Sequence, residues 1–579
     1  MDAPSLHAHN EFAIASANGM TSLRRPGDRG ERIDLFNTAE PVVHNDSHAP
    51  LVPRPAPRWR HPYRVAAIGM TVWLAVLACV MGLPVRVARG VGLLPPLKGP
   101  PFKVSPETTL ITEPLDADGW PDYQAALTKK LLRDVKPENN FVVVLRQVGL
   151  LDNMEEGWFN LSDVAELQQI DARLGVTAPL PTTPRYRTYR ELYPNDSSQD
   201  FANFLEQASQ RFWREDEFPK FAAWLRVNEP VYDLLAESVR TLDCGFVAGV
   251  NCDQSVRTLY RDYATRSFRM DPPQPMRQRL NDLVTMLWIG RRASLLNEWY
   301  HVIVAVTGER IATEFLVEHL SCADLVEADL VWLIAELDRL PPRVGFLEAG
   351  ELGDQYAALN GIVSLARSRD LDDFNAGIPK GAENSIGRCV RWSRVDWNVA
   401  LRETRAMFEE RRRIRTLEDI EEQSRAIQNE RKRLSKQIKG WNHPWRVLLA
   451  PFLGSPRYNG QFIAALAVDA RQLPENESIA SPKLLVLERT LRIAIDLRRH
   501  QMRTGSYPDS LADLKDVSRP TDLGDPFREG QQLTYRRTSE GCLLYSLGRN
   551  GVDDDGESFP ASDIEGADDI GVRLRIPVR

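Results

Sequence analysis

The chain has 579 residues, of which 43% are hydrophobic and 26% charged, with a formal net charge of −7. That length calls for about three or four structural units, the apolar share suffices for buried cores, and the mild negative charge excludes a dedicated nucleic-acid binder. Six cysteines are scattered with no C-x-x-C pair and no zinc-ligand spacing.

Residues 1–62 carry few large apolar side chains, mixed charges and the proline-rich stretch APLVPRPAPRWRHP, and read as a disordered cytoplasmic tail. Val65–Val85, VAAIGMTVWLAVLACVMGLPV, contains no charge. At about 1.5 Å per residue it is long enough to cross a hydrocarbon core of ~30 Å. Residues 63–86 are therefore expected to be a transmembrane helix. The long tail before it favours a single-pass signal anchor over a cleaved signal peptide. Arg58, Arg60 and Arg64 precede the run and Arg86 and Arg89 follow it. This bias puts the N-terminus in the cytoplasm and the bulk of the chain outside the inner (cytoplasmic) membrane, with lipid as partner of one helix.

Residues 87–110 form a proline- and glycine-rich linker. Asp116, Asp118 and Asp122 in DADGWPDY resemble a calcium loop, but the glycine stands fourth rather than sixth. The spacing favours a turn whose last aspartate caps a helix. From 111 to 400 apolar residues recur at three- and four-residue steps, predicting a helical extracytoplasmic domain. Cys244 and Cys252 either form a local disulfide in an oxidising compartment or are two separate small apolar residues. In EFLVEHL, Glu318 and His319 are neighbours and point apart on a helix, so Glu314, Glu318 and His319 read as a solvated face rather than a ligand set. H-E-x-x-H, G-x-S-x-G and Walker patterns are absent, and no catalytic residue is assigned.

Residues 401–440 read as one long, heavily charged helix. Ile420, Ile427 and Leu434 fall seven apart, while the matching d positions are largely polar. The pattern predicts a solvated helix with one buried stripe, open to a protein partner or to self-association. Residues 441–480 connect it to the end of the chain. Within them, HPWRVLLAPFLGSPRY is short for a span and reads as a packed or interface-lying segment.

Residues 481–579 predict a small α+β module: a long helix, a turn at TGSYP and two short strands joined at SEG. One face would set Leu533 and Tyr535 opposite Leu543 and Tyr545. Eight carboxylates then crowd between Arg549 and Ile570. Asp553, Asp554 and Asp555 repel one another unless they stay hydrated or meet a cation. Calcium, which takes about six to eight oxygens in irregular geometry, suits such a glycine-rich acidic loop. A solvated loop with no ion is the other reading.

RTGSYPDSLADL, DPF, LTYRR, LLYSLGRNG and ADDIGV follow in order the C-terminal half of the major pseudopilin of type II secretion systems, which the segment Lys483–Val572 resembles. That resemblance implies a long helix against a small sheet, with a calcium ion pinning an acidic loop after the last strand. Carried across, Asn550 matches the first ligand position, where the family has aspartate, and Asp568 or Asp569 the last ones. With Asp553 and Asp555 from the acidic run, these are the expected metal ligands. More broadly, VSPETTLITEPLDADGWPDY, KPENN, FAAWLRVNEPVYDLL and the acidic tail resemble a family of uncharacterised planctomycete single-pass membrane proteins, which implies architecture and location but no activity. A pseudopilin has its apolar segment directly before the long helix, whereas here a helical domain intervenes. The sequence therefore reads as a mainly α, membrane-anchored structural or interaction protein. A component of a secretion or pilus-like apparatus, or an exported hydrolase with dispersed catalytic residues, are the alternatives.

Overall fold

The computed structural model describes residues 99–132, 135–151, 164–176, 183–209, 211–245, 253–270, 275–294, 299–343, 346–368, 395–417, 420–439, 455–469, 477–514, 523–528, 530–557 and 568–576. The chain divides into two compact units, Met1–Arg86 and Val87–Arg579. The first, with the expected tail and the run Val65–Val85, lies outside the described residues, and so does Cys252. Among the described residues no helix is long and apolar enough to cross a membrane.

The protein is mainly helical, with a small sheet near its C-terminus. The helices are α1 (Tyr123–Leu132), α2 (Phe141–Gln147), α3 (Val164–Leu174), α4 (Tyr189–Leu192), α5 (Ser198–Ala208), α6 (Pro219–Thr241), α7 (Asp253–Ser267), α8 (Met276–Ala293), α9 (Trp299–Leu320), α10 (Glu327–Arg339), α11 (Phe346–Ser368), α12 (Trp397–Arg415), α13 (Ile420–Lys439), α14 (Pro456–Asp469) and α15 (Glu477–Thr504). The strands β1 (Thr534–Arg537), β2 (Gly541–Ser546) and β3 (Ile570–Arg575) form an antiparallel sheet in that order.

Local chemistry sets many of the helix starts. Asp116 accepts from the Trp120 N–H and Asp122 from the Ala125 N–H, both at 2.9 Å, so DADGWPDY builds a turn and a cap as its spacing predicts. Asn140, Thr188, Ser197 and Asp396 cap α2, α4, α5 and α12 in the same way. Each satisfies an amide that the first helical turn leaves without a partner.

One continuous apolar core runs from Phe102 to Leu574, so the helical region and the C-terminal module share an interior. Helix α15 is the element common to both, packing on α9 and α10 as well as on β2 and β3. An ion network ties it in place. Arg291 of α8 pairs with Glu309 of α9 at 3.0 Å and with Glu488 of α15 at 2.9 Å, and Arg343 reaches both carboxylates.

Several expectations are corrected. Residues 401–440 are not one helix but the hairpin α12–α13, broken at Thr416 and Leu417. Folding back buries Arg411 against Glu430 at 2.8 Å and packs Ile414 on Ile427, contacts that a straight helix cannot make. The expected stripe survives within α13, where Ile427 and Leu434 are buried. His319 is not on a solvated face: it is fully buried, with its ring nitrogens 2.8 Å and 2.9 Å from the Phe315 and Ser267 carbonyl oxygens. The strand register also differs by one residue. Tyr535 pairs with Leu544 and Thr534 with Tyr545, so Leu533 and Tyr535 share a face with Cys542 and Leu544. The Thr538 N–H donating to the Gly541 carbonyl fixes that pairing, and a one-residue shift moves every side chain to the other face. Strand β3 is an addition to the two strands read from the sequence.

Candidate metal centre

Ser546, the last residue of β2, starts the framework of the site. Its hydroxyl donates to the buried Asp525 carboxylate at 2.8 Å and accepts from the Gly548 N–H at 3.1 Å. The chain then enters a turn at Gly548–Asn550. Gly548, Gly551 and Gly556 all have positive φ, a conformation that costs glycine little. At Gly548 the need is also steric, because a Cβ there would lie 2.3 Å from the Asp568 carbonyl oxygen and from its Oδ1.

The three successive aspartates part company. Asp553 accepts from the Tyr545 hydroxyl at 2.9 Å, and Asp555 pairs with Arg536 of β1 at 2.6 Å. Asp554, between them, turns the other way and joins Asp568 and Asp569, so that a carboxylate oxygen from each lies within 4.8 Å of the others. The chain turns within the triplet, the Asp555 N–H donating to Asp553 Oδ1 at 3.1 Å and Asp555 itself taking a φ of +59°, and this turn splits the side chains. Repulsion within the triplet is thus relieved by sending each side chain to different surroundings.

Backbone amides orient the cluster. Asp568 Oδ2 accepts from the Arg549 and Asn550 N–H groups at 2.9 Å and 3.1 Å. Asp569 Oδ2 accepts from the Asp554 and Gly556 N–H groups, each at 2.9 Å. The remaining oxygens, Asp568 Oδ1 and Asp569 Oδ1, are buried and meet no hydrogen-bond donor. Asp569 is only 1% exposed, and burial pushes its carboxyl above the ordinary range against the pull of the two amides, with Asp554 and Asp553 adding to the rise. Two buried acceptor oxygens beside a third carboxylate, without a donor or counter-charge on them, are the chemistry a hard cation satisfies.

Of the expected ligands, Asp568 and Asp569 belong to the cluster. Asn550 lies at its rim: its Oδ1 is taken by the Val552 N–H at 2.7 Å, and its Nδ2 is 3.5 Å from Asp554 Oδ2. Asp553 and Asp555 point elsewhere. Asp554 was missed, because the turn at Asp555 decides which member of the triplet faces Asp568 and Asp569. No family model, curated protein or solved structure matches the chain.

The sheet side of the loop is closed by Tyr545. Its ring is 1% exposed, Gly556 packs above it, and burial pushes its hydroxyl up to about 12. Elsewhere, a cleft of about 370 Å³ opens between α6, α8 and α10, and its lining includes no histidine. Arg240 occupies its wall, bound to Asn281 at 2.9 Å and to Glu336 at 3.4 Å. Asp233, also on the lining, pairs with Arg266 at 3.7 Å.

Proposed function

We propose that the chain is a single-span protein of the inner membrane, whose Val87–Arg579 unit has a structural or interaction role outside the cytoplasm. A divalent cation, calcium first, is held by Asp554, Asp568 and Asp569 in the terminal loop. One observation carries the cation: Asp568 Oδ1 and Asp569 Oδ1 are both buried and neither has a donor. Calcium completes its shell with backbone carbonyls and water, so three carboxylates are an adequate protein contribution. The ion would fix Val552–Glu557 over Tyr545 and close the far face of the sheet. The anchor is supported by the uncharged run Val65–Val85.

A structural role is preferred over membership of a filament because α15 is covered by α9 and α10 and held there through Glu488. Much of the surface of α15, from Leu484 and Val486 to Leu497, is already buried within this chain.

The test is titration of the Val87–Arg579 unit with terbium, a luminescent calcium substitute, exciting tyrosine. Tyr545, bonded to Asp553, is the sensitising group nearest the loop. Saturable luminescence that calcium displaces, and that Asp569→Asn abolishes without loss of fold, is the expected result. Absence of sensitised emission, together with no calcium heat in calorimetry, would refute the site.

A further inference from the structure

The α12–α13 hairpin is not used by the metal centre, and its charge is divided unevenly along its length. Near the Thr416 turn both signs mix: Glu421 and Glu422 are exposed, and Glu410 pairs with Arg413. At the other end the signs separate. From Arg431 to Lys439 the sequence contains no carboxylate. Lys432, Arg433 and Lys436 are exposed there, and none of them makes an ion pair among the described residues.

The position of that end is fixed by named contacts. Gln461 of α14 donates to Glu403 of α12 at 3.1 Å, and its carbonyl accepts from Gln437 of α13 at 3.4 Å. The last turns of α13 therefore lie beside the first turns of α12. Against those same turns runs the start of the described chain, where the Lys103 N–H donates to Asn398 at 2.9 Å and Arg405 bonds the Pro106 carbonyl. Exposed Arg402 adds a fourth cation at this end, and Glu107 is the exposed carboxylate beside Arg405. Lys103 follows Val85, the last residue of the apolar run, by eighteen positions. An extended chain of that length reaches at most about 60 Å. If Val65–Val85 is the span, a tether of that length leaves the basic end of the hairpin free to reach the bilayer surface.

We propose that Lys432, Arg433 and Lys436, with Arg402, form a docking face for anionic phospholipid headgroups of the membrane that anchors the chain. The proposal rests on the reading of Val65–Val85 as the span. Basic residues beside an anionic surface are attracted by about 1 kcal/mol each, and the attraction fades within a Debye length. Exposed cations that make no ion pair among the described residues, within reach of lipid, can use that attraction. It would set the orientation of the Val87–Arg579 unit, with the mixed-charge turn of the hairpin directed away.

The experiment uses the Val87–Arg579 unit, which has a continuous core of its own, so that the span cannot supply the binding. Its partition onto vesicles of phosphatidylcholine alone is compared with vesicles containing phosphatidylglycerol, at low and high salt. Binding to the anionic vesicles alone, weakened by salt, is expected. The Lys432→Gln, Arg433→Gln, Lys436→Gln triple variant should lose on the order of a hundredfold in partition, about fivefold per charge. A second triple variant, Arg412→Gln, Arg413→Gln, Arg425→Gln, removes the same charge near the turn and should change partition far less. Unchanged melting of both variants shows that folding is intact. Equal losses in the two variants would reduce the effect to net charge and overturn the docking face, and so would equal binding to neutral vesicles or none to either. Resistance of the full chain to alkaline extraction tests the span separately, so the two failures are distinguishable.

Discussion

At the scale of single residues, the turn at Asp555 and the neighbouring glycines together sort the charges of the acidic loop. Gly548 is the most constrained position, since its φ of +62° and the 2.3 Å approach of Asp568 both exclude a side chain. Gly548→Ala is therefore expected to cost roughly 1–3 kcal/mol and to displace Asp568 from the cluster. Thermal melting and terbium titration should both register it. Gly551→Ala is the control: its φ of +72° is similar, but the group it would strike is the movable guanidinium of Arg528. A smaller loss of stability and retained cation binding are expected there. Asp569 adds a pH dependence whose sign follows from its raised carboxyl. Without a cation, the folded state binds more protons than the unfolded one between the ordinary aspartate range and the raised value. Stability should thus fall as pH rises through that window. Cation affinity should run the other way, weakening as pH falls and protons compete for the same oxygens. Titrations at several pH values check both signs.

At the scale of elements, the α12–α13 hairpin depends on a charge pair taken out of water. Arg411 and Glu430 are 2% and 4% exposed at their side chains and 2.8 Å apart. Removing one partner leaves the other buried without its counter-charge, so Arg411→Met or Glu430→Leu should each destabilise by about 3–5 kcal/mol. The double variant should recover most of that loss, and chemical denaturation of the four proteins closes the cycle. The same hairpin marks the limit of what the sequence makes legible. The seven-residue spacing of Ile427 and Leu434 announces a buried stripe, and both residues are buried. The break at Thr416 does not show, because a charged stretch without proline or glycine carries no stop signal and the fold-back is decided by a tertiary contact. The C-terminal sheet behaves alike. β1 and β2 are visible in the sequence, but their register depends on the geometry of the Thr538–Gly541 turn. β3, IGVRLR, carries the period-two alternation of a strand and is the one the sequence reading passed over. In the loop, the excess of carboxylates is visible, and the pseudopilin resemblance points to Asp568 and Asp569, which the structure brings together with Asp554. Which member of the aspartate triplet faces inward is settled only by the direction of the chain, and it is Asp554.

At the scale of the whole molecule, the helical region and the C-terminal module are joined through α15 rather than strung together. The Glu488 carboxylate meets Arg291 of α8 and Arg343, and Arg492 pairs with Asp338 of α10 at 2.7 Å. The sheet contributes as well, the Arg575 N–H donating to Ser321 beyond the end of α9 at 3.2 Å. A core shared in this way predicts a single calorimetric transition for the Val87–Arg579 unit. It also predicts that a cation bound at the terminal loop stabilises all of it. By mass action the gain is about 2.7 kcal/mol when free calcium stands at a hundred times its Kd. Spread over so large a unit, that is a rise of a few degrees in the one transition. Glu488→Gln should lower the same transition without splitting it, because the apolar contacts of α15 with α9 and α10 remain. Two transitions, with calcium moving only one of them, would instead make the terminal module an independent domain and the network around Glu488 a surface contact between separately folded parts.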